Sequence, residues 1–302
     1  MAERMIEANG AQLCTDPIGE QGDPPVLLVM GMSASLLWWE DEFCARLADG
    51  GRFVIRYDHR DTGRSVTYEP GSPAYDAGDL LADAAGVLDA YGLPAAHIVG
   101  VSMGGAIAQL LALDRPDRVR SLVLISSSPA TPGERGLPPV TDRLGRFLAT
   151  ARVDPSDANS VVDYLVDYWR ALWGQARVYD EARIRALALR DVTRARDFAA
   201  AQNHAMLLDE DRPRASLSSI RTPTLVIHGT DDPMFPLAHG SALANEIPGA
   251  KLLALPGAGH GIDRVDWETV VSAILEHTEA PTAGMPGART GSAALSASSG
   301  ST

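Results

Sequence analysis

The chain has 302 residues, 45% of them hydrophobic, which is enough to bury one large α/β core carrying an insertion. Its 26 basic residues against 39 acidic ones leave a net charge of −13, and Lys251 is its single lysine, so neither nucleic acid nor an anionic membrane is expected as a partner. Cys14 and Cys44 stand apart and read as free structural thiols. Residues 1–7 lack an apolar targeting stretch and no apolar run approaches 18 residues, so a soluble cytoplasmic protein is expected.

In chain order, Arg4–Ala8 and Gln12–Asp16 flank Asn9-Gly10, a dipeptide suited to positive φ, and predict an opening antiparallel hairpin. Val26-Leu27-Leu28-Val29-Met30 is a continuous apolar run, the pattern of a strand covered on both faces. The small-residue loop Gly31–Ser35 follows, then a helix predicted over Leu36–Ala48 and closed by Gly50-Gly51. Phe53–Tyr57 predicts the next strand and Ala77–Tyr91 a helix, stopped by Gly92 and Pro94. Ile98–Val101 and Ser121–Ile125 are further buried strands. The strand–helix rhythm breaks at Ser128-Pro129. Thr131 to Arg214 carries helical stretches with an apolar stripe (Val161, Leu165, Tyr168, Trp169, Leu172, Trp173) and a later helix bearing Phe198, Met206 and Leu207. Strands resume at Thr224–His228 and Lys251–Leu255, and a last helix spans Asp266–His277. Residues 280–302 form a Gly/Ala/Ser/Thr/Pro tail with too little apolar bulk to order. The reading is an α/β protein with a mostly parallel sheet covered by helices on both faces. Residues 1–130 and 215–279 make the core, 131–214 a helical cap, and 280–302 a disordered tail.

Three loops at carboxyl ends of strands carry candidate chemistry. The first is Gly100-Val101-Ser102-Met103-Gly104, set between a β-branched run and a small-residue helix. A serine in so tight a turn is strained, and Gly100 and Gly104 give the room it needs. The second is Gly229-Thr230-Asp231-Asp232-Pro233, and the third Pro256-Gly257-Ala258-Gly259-His260-Gly261. A serine hydroxyl becomes a competent nucleophile when a base takes its proton, which is the part offered to His260; a carboxylate, Asp231 or Asp232, would orient the imidazole.

The order Ser, Asp, His, with the nucleophile on a strand–turn–helix, resembles the α/β-hydrolase fold. More narrowly, the chain is similar to the aclacinomycin methylesterase group. The residues that carry this likeness are Leu27–Gly31, Asp41-Glu42-Phe43, Arg46–Gly51, Val54–Ser65, Val99–Gly104 and Pro223–Ile227, with Met30-Gly31 standing where many relatives have His-Gly. The resemblance implies catalytic Ser102, Asp232 and His260, preferring Asp232 to its neighbour. It also implies an oxyanion hole from the backbone N–H groups of Met32 and Met103, with Gly31 permitting close approach. Ser126-Ser127-Ser128 contain no carboxylate, so the alternative acid position of some hydrolases is empty here.

The implied activity is hydrolysis of a small-molecule ester through an acyl-enzyme. The resemblance points to a methyl ester of a polycyclic aromatic polyketide such as an anthracycline, with no cofactor and no metal. A cofactor-free perhydrolase (haloperoxidase-like) or a carbon–carbon bond hydrolase would use the same three residues. A non-catalytic receptor built on the fold is a further alternative. Trp38, Trp169 and Trp173 are candidate substrate contacts; Trp38 is equally readable as packing, and Trp169 and Trp173 read first as packing of the cap on the core. His59 precedes the nucleophile, against the family order, and reads as structural. His228, ending a buried strand, reads as a packed core residue, and His204, on a cap helix beside Asn203, as solvent-facing in preference to touching substrate.

Overall fold

The computed structural model describes residues 3–133, 135–207 and 215–279. The tail expected to be disordered, 280–302, lies outside the described residues, as do 208–214 at the end of the insertion. The chain opens with β1 (Arg4–Ala8) and β2 (Ala11–Ile18), paired antiparallel across Asn9 and Gly10, whose φ values of 48° and 69° suit the tight turn. There follow β3 (Pro25–Val29), α1 (Asp41–Asp49), β4 (Phe53–Tyr57), α2 (Ala77–Ala90), β5 (Ala96–Val101), α3 (Met103–Asp114) and β6 (Val119–Ile125). The described residues between β6 and the next strand are helical or irregular: α4 (Asp142–Thr150), α5 (Ala158–Leu172), α6 (Glu181–Arg194) and a 3₁₀ stretch, Phe198–Met206. The chain then returns through β7 (Thr224–Gly229), α7 (Ala238–Glu246), β8 (Lys251–Leu255) and α8 (Trp267–His277).

The strands form one eight-stranded sheet in the order β1-β2-β4-β3-β5-β6-β7-β8. Pairing is antiparallel from β1 through β2 to β4 and parallel from there to β8. Side chains alternate across the pleat, so each central strand feeds two cores. Leu27, Val29, Ile98 and Leu124 join the core under α2, α3 and α7, whereas Val26, Leu28, Val99 and Val123 join the one under α1 and α8. That two-sided burial is why these strands read as unbroken apolar runs, and each such side chain contributes roughly 1.5–3 kcal/mol by leaving water. At the far edge β8 is largely exposed. No helix among the described residues is long and apolar enough to cross a membrane.

Two expected helices differ. The helix predicted over 36–48 is broken into a 3₁₀ turn, Leu36–Trp38, and α1, because distant polar groups take the backbone groups between them. Leu36 N–H donates to Asp58 Oδ1 (2.8 Å), and the carbonyl of Trp39 accepts from the Arg56 guanidinium instead of continuing a helical ladder. The later helix is the 3₁₀ stretch of nine residues, with Leu207 just beyond it. Its buried Asn203 and His204 reach two loops of the core.

Candidate active site

Ser102 sits between β5 and α3 with φ 54° and ψ −117°, a left-handed conformation that a non-glycine residue holds only when its surroundings enforce it. A Cβ on Gly100 would lie 2.2 Å from the Gly104 carbonyl oxygen, and one on Gly104 would lie 2.1 Å from that of Val29. The turn can therefore close only with glycine at both places. Ser102 N–H donates to Ile125 O (2.9 Å), and Ser127 Oγ donates to Ser102 O (2.9 Å), so both ends of the strained residue are pinned.

The structure brings Ser102, Asp232 and His260 together, from the ends of β5, β7 and β8. Asp232 is buried; Asp231 beside it is exposed. One carboxylate oxygen of Asp232 accepts the N–H groups of Met234 (2.8 Å) and Phe235 (2.9 Å), and the other faces His260 Nδ1 at 2.8 Å. A carboxylate held by backbone donors is stabilised as the anion, so the proton between it and the imidazole lies on Nδ1. The lone pair is thereby left on Nε2, which is 3.0 Å from Ser102 Oγ. His260 N–H donates to Leu172 O (2.9 Å), tying the histidine loop to the C-terminal end of α5. That contact is backbone on backbone: a Cβ on Gly259 would lie 2.2 Å from Leu172 O.

Ser102 and His260 open on an apolar cavity of about 220 Å³ between the strand ends and the helices α5 and α6, while Asp232 stays buried beside His260. Gly31, Met32, Trp38, Met103, Trp169 and Trp173 all line it. Gly31 packs against Ser102, where an added Cβ would stand 3.4 Å from the serine Cβ. The rings of Trp38 and Trp169 stack at 4.4 Å and 19°, and Trp38 Nε1–H donates to the buried carboxylate of Asp191 (2.7 Å). Trp173 turns its Nε1–H to Val178 O (3.2 Å) and its ring edge-on to Tyr179. A second cavity of about 750 Å³ shares Met32, Ala34, Trp38, Tyr168 and Trp169 with the first. Burial raises the Tyr168 hydroxyl to a pKa of about 12, so it meets a ligand as a neutral phenol.

Three other histidines are held away from this cavity. His59 is fully buried beside Met30 O (3.0 Å), and burial, helped by His204, lowers its pKa to about 3. His228, also buried, donates from Nε2 to Phe235 O (2.7 Å). His204 is not solvent-facing: it is buried, and bonds Ser33 N–H and Arg60 O. Its neighbours along the chain gave no hint of this, because both partners lie more than a hundred residues earlier. Phe235, edge-on to the His260 ring, and Asp191 also escaped the sequence reading. Phe235 stands between Pro233 and Pro236 in a loop, and Asp191 resembles any charge on an amphipathic helix. Among the described residues no group of three or more His, Cys, Asp or Glu side chains is arranged to hold a metal ion.

The profile of the alpha/beta hydrolase fold family matches residues 24–262. The chain is 35% identical over 297 residues to rhodomycin D methylesterase DauP of Streptomyces sp. (strain C5), covering 93% of this chain and 100% of that one. It is 34% identical to rhodomycin D methylesterase DnrP of Streptomyces peucetius, with the same coverage. Among solved structures it superposes on the esterase RhEst1 from Rhodococcus sp. ECU1013 with a TM-score of 0.72, at 24% identity and covering 92% of this chain and 98% of the other.

Proposed function

Because the chain belongs to the alpha/beta hydrolase fold family, and so is a hydrolase, we propose that it is a serine carboxylesterase acting on the methyl ester of a polycyclic aromatic polyketide of the anthracycline kind. The observation that carries the serine mechanism is the continuous hydrogen-bonded chain Asp232–His260–Ser102 at the wall of an apolar cavity. Ser102 Oγ attacks the ester carbonyl while His260 Nε2 takes its proton. The oxyanion is held by the N–H groups of Met103, at the start of α3, and of Met32, after Gly31. His260 returns the proton to the departing methoxide, giving methanol and an acyl-enzyme. Water, deprotonated by the same nitrogen, then releases the acid and restores Ser102. Asp232 stays ionised throughout and stabilises the imidazolium.

Two things favour a flat, polycyclic acyl group. The similar proteins DauP and DnrP are rhodomycin D methylesterases, and Trp38, Tyr168 and Trp169 line both the smaller cavity at Ser102 and the larger one next to it. The space at Ser102 suits the ester, and the adjoining larger one the remote rings. The helices α4, α5 and α6 and the 3₁₀ stretch Phe198–Met206 act in this reading as the lid that closes over both.

Ser102→Ala should fold normally and lose activity by a factor on the order of 10⁶ in kcat on a methyl ester of an anthracycline acid, read as methanol release. Near-wild-type turnover by that variant would overturn the serine mechanism. Peracid formation without methanol release from any methyl ester would leave the three residues in place and refute the esterase reading.

A further inference from the structure

The loop after β3 that supplies Gly31 and Met32 is held by two histidines, one from the core and one from the helical segment. His59 donates from Nε2 to Met30 O (3.0 Å). Three residues on, Ser33 has a positive φ of 60°; its N–H donates to His204 Nδ1 (2.9 Å) and its hydroxyl to Ala201 O (2.6 Å). The two rings meet edge to face, 5.8 Å apart. Because the partner of His204 Nδ1 is an N–H, that nitrogen carries the lone pair and its proton is on Nε2, donated to Arg60 O at 2.8 Å. A protonated ring would set N–H against N–H, and burial keeps the imidazole neutral. Asn203 beside it fixes the same segment to the core, accepting from Gly71 N–H (2.7 Å) and donating to Asp61 (2.8 Å).

Met32 thus lies between two backbone groups, Met30 O and Ser33 N–H, each fixed by an imidazole. We propose that His204 is a positioning residue for the oxyanion hole: by accepting the Ser33 N–H it orients the Met32–Ser33 peptide region so that the Met32 N–H points at the reacting carbonyl. This rests on the reading of Met32 as an oxyanion donor. It gives the segment 198–206 a part in catalysis besides covering the site, since the loop is in register when that segment is docked.

Two polar variants separate this role from mere packing. His204→Asn places an acceptor near Nδ1 and drops the bond to Arg60; His204→Gln reaches toward Arg60 and drops the acceptor for Ser33. The inference expects Asn to keep kcat within a few-fold and Gln to lose about 10²-fold, the scale of one misplaced oxyanion donor, with KM nearly unchanged in both. Affinity for a trifluoromethyl ketone, whose hemiketal places an oxyanion in the hole, should fall in parallel with kcat in the Gln variant. Equal kcat in the two variants, or a loss in Gln confined to KM or to melting temperature, overturns it. If wild-type protein is not labelled by a fluorophosphonate, the serine reading fails and this inference with it. If it is labelled and the Gln variant is fully active, this inference alone fails.

Discussion

The strand-end loops of the core and the helical segment above them are built by different rules. In the core, short-range backbone geometry fixes the chemistry: Ser102 cannot avoid its turn once Gly100 and Gly104 flank it, and Asp232 is locked by the N–H groups two and three residues on. Among the described residues the helical segment forms small apolar clusters and is attached by polar contacts to residues far away in sequence. Arg194 reaches Asp58 and Glu3, Arg183 reaches Glu40, Asn203 reaches Asp61, and Asp191 receives Trp38. The comparison teaches that the core loops set the geometry of Ser102, Asp232 and His260 from within a few residues, whereas the attachments set where the cavity walls stand from far along the chain. Perturbing each should give different signatures, rate in the first and stability or shape in the second, with His204 the one attachment proposed to act on rate.

The sharpest break in the core concerns the paired aspartates. In Asp232→Asn the oxygen facing Met234 and Phe235 stays an acceptor, so the amide NH₂ takes the position facing His260. The imidazole must then present a lone pair at Nδ1 and a proton at Nε2, where the proposed mechanism needs a base. A drop of about 10⁴ in kcat is expected with little change in KM. Asp231→Asn alters an exposed side chain and should leave kcat within about twofold, as surface changes generally do. Steady-state kinetics on both variants checks this, and the reverse ranking would move the acid to Asp231.

The attachments break differently. The Arg194 side chain is only 6% exposed and donates to Asp58 Oδ2 and Glu3 Oε1 at 2.8 Å each, joining α6 to the loop after β4 and to the start of the chain. Arg194→Met fills similar volume but leaves the fully buried Asp58 carboxylate with only two backbone donors, Leu36 and Arg64. Losing one partner of such a pair costs about 3–5 kcal/mol. For a chain of this size that is a fall of roughly 6–20 °C in Tm. Limited proteolysis should then cut residues 131–207 before the core. An unchanged melt would mean that the segment is held by its apolar contacts instead.

The same contrast explains what could be read from the sequence. The sheet, the hairpin at Asn9-Gly10 and the serine turn were legible because each signal sits within a few adjacent residues. The position of Asp232 against His260 was open between two neighbours, since only the fold of the loop turns one inward and the other out. The break in the helix after Ser35 was hidden because its causes, Asp58 and Arg56, lie some twenty residues on. The burial of His204 was hidden for the same reason over a longer span. A periodic apolar pattern says which face of a helix is covered, and it says nothing about which distant polar group a buried histidine or aspartate will meet.

The smallest expected effect sharpens the comparison by titrating one attachment. Asp191 on α6 is almost wholly buried, accepts from Trp38 Nε1 and from the Ser35 hydroxyl, and faces Asp58 and Arg194 nearby. Burial raises its pKa to about 6, the hydrogen bonds and Arg194 pulling the other way and Asp58 adding to the rise. A carboxyl with a folded pKa above its unfolded one binds its proton more tightly when folded. Its contribution to stability is therefore fully present below about pH 4 and lost as pH rises through about 6. Asp191→Asn removes that titration while its amide can still accept from Trp38 and donate to Ser35. The stability of the variant relative to wild type should rise between pH 5 and pH 8 by about 1.4 kcal/mol at most, one pKa unit's worth of linkage, seen as a few degrees in Tm. Thermal melts of both proteins across that range measure it directly. A difference that stays constant with pH would show that Asp191 is ionised throughout and that Trp38 is latched by a fixed charge.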